Sequence, residues 1–160
     1  MTKYEQLIEN LKTINFEQAE NMEDEINVII HKLKFLSTDN FPNTIILDQN
    51  NSYTPLSDSI IAEKVKIAGG KLIDDLNQNP DCIIIIQQNE NLYSEIINVL
   101  DNAKSTNAVS NDNIYIIQNI NFNKEDNNYL IDTEILAEIQ QPKYFVFGRD
   151  GIDWVKFNLQ

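Results

Sequence analysis

A single cysteine, Cys82, rules out an internal disulfide and any multi-cysteine metal site. It opens the run Cys82-Ile83-Ile84-Ile85-Ile86, where a small buried hydrophobe fits better than a reactive thiol. A single histidine, His31, leaves no second imidazole for a zinc site. A serine triad would need His31 as its base, and no Gly-x-Ser-x-Gly elbow accompanies it. The chain has only four glycines, and the pair Gly69-Gly70 follows a helical stretch, whereas a phosphate-cradling loop opens a helix. No apolar run is longer than Cys82 to Ile86, which excludes a membrane span read from sequence. Basic residues are the minority: 12 against 25 acids give a formal net charge of −13, a field that repels nucleic acid and anionic membrane. The first residues lack a secretory pattern, because Glu5, Glu9 and Asn10 break any apolar core. As written the chain reads as cytoplasmic, and a trimmed periplasmic or surface-associated protein would read the same way.

What the sequence does contain is an alternation of helical and strand patterns within one domain, residues 1–160. Hydrophobic residues make up 42% of it, enough for a packed core. Asparagine (23) and isoleucine (25) supply nearly a third of the residues, a compositional bias, so asparagine clusters alone carry no functional weight. Residues 1–42 read as a helical segment. Tyr4, Leu7, Ile8, Leu11 and Ile14 share one face, and a second stripe runs from Phe16 to Leu36 until Pro42 stops helix formation. An α/β lobe over 43–143 follows. It has strands at Thr44–Leu47, Cys82–Ile86 and Ile114–Ile117, and helices after Asp58, over Glu95–Ala103 and over Tyr129–Ile139. Residues 144–160 place two β-rich runs, Tyr144–Phe147 and Trp154–Leu159, around Asp150-Gly151, which predicts a hairpin. The expected fold is three-layer α/β/α: a short, mainly parallel sheet, a long N-terminal helical segment and a C-terminal β-hairpin.

No nucleophile, base and oxyanion hole assemble from these residues, so the expectation is a protein that is not an enzyme and needs no cofactor or metal. Asp74-Asp75 and Glu125-Asp126 fit no calcium-loop pattern and read as solvated acids. In open α/β sheets the ligand crevice lies outside the carboxyl ends of the strands. Three loops end there: Gln49–Ser57, Gln87–Tyr93 and Gln118–Asn128. They bring Tyr53, Tyr93, Asn119, Asn121 and Phe122 as candidate ligand contacts, aromatic faces among amide donors.

Several segments, in order, resemble the C-terminal lobe and interlobe helix of the metal-chelate class of ABC-transporter substrate-binding proteins, which bind siderophores, haem or cobalamin. Tyr4–Leu36 resembles the helix that joins the two lobes together with its approach. Thr44–Asp48, Ala68-Gly69-Gly70 and Asn79-Pro80-Asp81 before Cys82–Ile86 resemble the start of the C-terminal lobe. Ala108–Ile117 (AVSNDNIYII) and Tyr129–Tyr144 resemble its later strand and final helix. The resemblance implies a metal-chelate ligand held by the three crevice loops, and a permease-docking acid at Glu90 or Glu95. The sequence departs from the pattern in carrying no counterpart of the N-terminal lobe, in the short stretch of eight residues between Gly70 and Asn79, and in the added C-terminal run.

A half-cleft open to water holds a chelate weakly, because burying most of a ligand takes two walls. The functional expectation is therefore a non-enzymatic binding module that completes its site by homodimerisation or through a partner protein supplying a second lobe, with no nucleic acid and no membrane insertion. The alternative is a cytosolic interaction or scaffold domain that kept the fold and lost the ligand. That reading rests on an aromatic face of Tyr144, Phe145, Phe147, Trp154 and Phe157, with Trp154 as the docking residue.

Overall fold

The computed structural model describes residues 1–159. Two helices open the chain, α1 (Lys3–Ile14) and α2 (Phe16–Leu33). Thr2 and Glu5 close a reciprocal capping box on α1. Asn15 then does two jobs: its N–H bonds Leu11 O to end α1, and its side chain accepts from Gln18 N to start α2. The N-terminal segment is thus two helices packed on each other. α2 also stops three residues before the expected Leu36, because its last turn tightens, with Lys34 N–H donating to His31 O.

The sheet contains β1 (Asn43–Asp48), β2 (Thr54–Pro55), β3 (Lys71–Leu72), β4 (Cys82–Ile86), β5 (Ile114–Ile117) and β6 (Trp154–Lys156). β1, β4 and β5 run parallel as its centre. On the outer side of β1, β2 pairs antiparallel at Leu47–Asp48 and β3 pairs parallel at Asn43–Thr44, so two dipeptides share that edge. β6 pairs antiparallel with β5 at the other edge. The remaining helices are α3 (Ser59–Ile67), α4 (Leu92–Asp101), the single turn α5 (Asn107–Ser110) and α6 (Tyr129–Gln140).

The isoleucine-rich strands make sense because both faces of the sheet are covered. Ile45, Leu47, Ile83, Ile85, Ile114 and Ile116 face α4, where Leu92, Ile96 and Leu100 meet them. Their alternates Ile46, Ile84, Ile86 and Ile117 face α2, α3 and α6. A smaller cluster of Ile8, Met22, Ile26 and Tyr129 fixes α1 to the outside of that layer. Full burial of each such side chain contributes about 1.5–3 kcal/mol. The expected three-layer α/β/α class is the observed one.

Gly69 ends α3 with φ +87°, a left-handed backbone that favours glycine. At Gly70 a Cβ would collide with Gln140 of α6. That close approach lets Gln140 accept from Thr44 Oγ1 at 2.9 Å and donate to Val65 O at 3.1 Å. α6 is covered on nearly every side, and its polar residues Asp132, Thr133, Glu134, Glu138 and Gln140 are all buried. Each finds partners, as buried polar groups must. Asp132 accepts from Lys64 Nζ at 2.7 Å, Asn128 Nδ2 at 2.7 Å and Asn123 N at 2.9 Å.

The C-terminus departs from the expected hairpin in its first arm. Residues 144–147 pair with no strand among the described residues. Instead the Glu138 carboxylate accepts from the N–H groups of Phe147 (2.7 Å), Gly148 (3.1 Å) and Arg149 (3.2 Å), and from Trp154 Nε1 (3.0 Å). A carboxylate has taken the backbone donors that a ladder would have used. The second arm does form, as β6, with a turn over Arg149–Trp154 leading into it.

Candidate functional site

The parallel strands lie in the order β3-β1-β4-β5, so the chain leaves β1 toward one edge and β4 toward the other. α3, which follows β1, packs on one face of the sheet, and α4, which follows β4, packs on the opposite face. Loops leaving in opposite directions open a crevice at the carboxyl ends of β1 and β4, the switch point of a doubly wound sheet.

Side chains of the protein itself span that crevice. Gln49, just after β1, accepts from Gln88 N at 2.7 Å and Asn89 N at 3.0 Å. Its amide nitrogen donates to Asn89 Oδ1 at 2.9 Å and Glu95 Oε1 at 3.2 Å. Tyr53 Oη donates to the same Glu95 oxygen at 2.8 Å. Burial, then the bond to Glu95, raises the Tyr53 phenol above its usual range and keeps it a donor. Ser52 (φ 54°) and Tyr53 (φ 62°) are both left-handed, a conformation that costs a bulky residue on the order of 1–3 kcal/mol. Tyr53 N donating to Asp48 O at 2.8 Å and the Leu47–Pro55 pairing hold them there. Beside this turn lies a hollow of about 550 Å³, walled by Tyr53, Pro55, Leu76, Asn98, Val99 and Asn102.

Of the residues picked out in the sequence, Tyr53 and Glu95 are joined directly. Tyr93 is 47% exposed at the start of α4, and its hydroxyl accepts from Gln118 Nε2 at 3.2 Å, linking the loops after β4 and β5. Asn119 turns away from these two, its Nδ2 donating to Asp153 Oδ1 at 3.0 Å while its Oδ1 accepts from Asn121 N at 2.9 Å. Asn121 itself is exposed. Phe122 is 2% exposed and packs with Ile117 and Ile135 in the core, so it presents nothing to the crevice. Glu90 is exposed on the loop before α4.

The aromatic docking face does not form as expected. Trp154 is buried and bonded to Glu138, Phe145 and Phe147 stack 5.8 Å apart on the same core, and Phe157 packs against the α4 layer. Alternate residues of a hairpin would have shown one aromatic face outward. Without the first arm, these rings turn inward and only Tyr144 stays largely exposed.

Nothing in their residue types singled out Gln49, Gln88, Asn89 and Gln118 beforehand. Their one signal was position in the three loops, hidden by an amide-rich composition. Among the described residues no group of three or more His, Cys, Asp or Glu is placed to hold a metal ion. No helix among them is long and apolar enough to cross a membrane.

The class this architecture defines is a doubly wound α/β domain whose strand-end loops gather at a switch point. Comparison with known proteins narrows it. No protein-family model matches the chain, and no curated protein does. Solved structures do match. An ABC transporter substrate-binding protein from Listeria monocytogenes EGD-e aligns over 84% of this chain and 62% of its own, with 18% identity and a TM-score of 0.63. IsdE from S. aureus, solved in complex with heme, aligns over 86% and 63%, with 20% identity and a TM-score of 0.67. An ABC-type Fe3+-hydroxamate transport system protein from Saccharomonospora viridis aligns over 86% and 56%, with 14% identity and a TM-score of 0.63. The likeness to metal-chelate substrate-binding proteins therefore holds at the level of the fold. The chain spans 62%, 63% and 56% of those three proteins, less than two thirds of each.

Proposed function

We propose that this chain is a non-catalytic binding lobe that takes a metal chelate of the haem, cobalamin or ferric-siderophore kind. Its crevice loops form one wall, and a second lobe, from another copy or a partner protein, forms the other. The observation that carries this reading is the rim at the switch point, where a strained Tyr53, Glu95, Gln49 and Asn89 meet between the ends of β1 and β4. Backbone strain of this kind persists where surrounding contacts over-determine it, commonly at ligand clamps. Tyr93, on the adjoining loop, offers an exposed ring for a flat or bulky ligand face. Glu90 is the exposed acid for docking a permease, since the Glu95 carboxylate is committed to Tyr53 and Gln49.

With one wall only, affinity for a chelate is expected in the roughly micromolar range or weaker. The test is titration with haem, cyanocobalamin and ferrichrome, read as ligand absorbance and as the protein's melting temperature. One of the three should shift both, and Tyr53→Ala or Tyr93→Ala should weaken it by roughly tenfold. If all three leave spectrum and melting temperature unchanged, ligand binding by this lobe is wrong.

The second reading, an interaction domain without a ligand, is favoured by Gln49, whose four hydrogen bonds occupy the crevice. Gln49→Ala separates the two. A gain in chelate binding on removing this side chain supports the binding lobe. Continued indifference to every chelate supports the interaction domain.

A further inference from the structure

On the outer helical layer, away from the crevice loops, α1, α2 and α3 enclose a groove of about 840 Å³. Its floor is apolar, with Tyr4, Ile30, Leu33, Phe41, Ala62 and Ile67. Its charge is divided along its length. α2 and α3 run side by side in the same sense: Met22 and Ile26 pack with Ile60 near their starts, and Leu33 lies against Gly69 near their ends. Glu23 therefore lines one end and Lys34, eleven residues further along α2, the other, while Glu63 and Lys66 lie one turn apart on α3 between them. At the basic end stands Phe35, 85% exposed, with Lys34 Nζ 5.7 Å from its ring and His31 packed edge-on at 6.4 Å. At the acidic end the hydroxyl of Tyr4 is buried without a hydrogen-bond partner.

We propose that this groove is the contact surface for a second copy of the chain, the two packed antiparallel about a two-fold axis, with Phe35 of each seated on the apolar floor of the other. A surface acidic at one end and basic at the other is complementary to its own antiparallel image, which is what an isologous interface requires. The arrangement sets Lys34 of one copy over Glu23 of the other. It also gives Phe35, an exposed aromatic, a pocket of the kind that anchors interfaces. The net charge of −13 opposes association at long range, but at physiological ionic strength it is screened beyond about 8 Å, whereas the paired ends meet at contact. The inference does not depend on what the crevice binds, because no residue of the crevice loops lines this groove.

Sedimentation velocity from about 1 to 100 μM is the test, the range in which a specific micromolar interface shows itself. The wild-type chain should move from monomer to dimer, and Phe35→Glu should remain monomeric with an unchanged melting temperature, since this ring is 85% exposed. Lys34→Glu and Glu23→Lys should each weaken the dimer at least fivefold, and together they should restore it. Mixing Phe35→Cys with Ser59→Cys chains should give an oxidised heterodimer, because Cys82 is buried and does not compete. A monomer at every concentration overturns the proposal. So does a dimer indifferent to Phe35→Glu, or a monomer that binds phosphatidylserine vesicles through Phe35 instead.

Discussion

Removing the Glu138 carboxylate should be among the most damaging single changes to this domain. It accepts four hydrogen bonds, from Phe147 N, Gly148 N, Arg149 N and Trp154 Nε1, and thereby ties the C-terminal turn and β6 to α6. In Glu138→Ala the indole N–H is left buried without an acceptor, a loss of about 1–3 kcal/mol. The three loop amides are only part-buried and can turn to water, so each adds a fraction of that. The sum is about 3–5 kcal/mol, against a total of about 5–15 kcal/mol for a domain of ordinary stability. Trp154 is the only tryptophan, so its fluorescence in a urea titration reports on this contact itself. The variant should unfold at lower urea, with native emission shifted to the red. Glu138→Gln should fall between, since its NH₂ group faces donors and only its carbonyl oxygen still accepts. Combined with Trp154→Phe, the loss should be less than additive, because the two changes break one shared bond. A Glu138→Ala protein that loses less than about 1 kcal/mol and keeps its emission maximum would refute the reasoning.

Two further outcomes follow from the interior. Lys64 and Asp132 meet at 2.7 Å with side chains 3% and 0% exposed, so Lys64→Met strands a buried carboxylate and should cost about 3–5 kcal/mol by chemical denaturation. Adding Asp132→Asn should recover part of that, and amide exchange at Asn123 should speed up in the single variant because its N–H bonds Asp132. Burial pushes the Cys82 thiol up from 9.0 to about 12. The unfolded chain ionises first, so this group's contribution is complete below pH 9 and is lost as pH rises toward 12, by about 1.4 kcal/mol per pH unit. Cys82→Ala should remove that part of the alkaline slope in thermal melts, and native Cys82 should resist iodoacetamide at pH 8 until the chain unfolds.

The elements legible in the sequence were those whose own residues decide them. Ile114–Ile117 and Cys82–Ile86 are runs that only a doubly covered sheet accommodates, and Asp58 and Gly69 bracket α3 by local capping chemistry. β2 and β3 were not legible, because two residues carry no periodicity and their pairing is set by β1. The hairpin failed for a related reason. Asp150-Gly151 did mark a turn, but the partner for residues 147–149 is a glutamate on α6, a choice made in three dimensions. The same holds at the crevice. Loop position pointed to Tyr53 and Tyr93, whereas the burial of Phe122 and the bridging by Gln49 depend on how the loops close over the sheet.

The burial of α6 also orders events during synthesis. Glu134 and Glu138 leave the ribosome before the residues that satisfy them, Arg149 for the first and Phe147 to Trp154 for the second. Until those arrive, a helix meant for the interior carries two charged side chains with no donors opposite them. The parallel strands can collapse earlier, but the buried acids of α6 are satisfied only once the C-terminal turn is in place. A pause or a cut before residue 147 would therefore leave a chain with nearly all of its sheet and an open side.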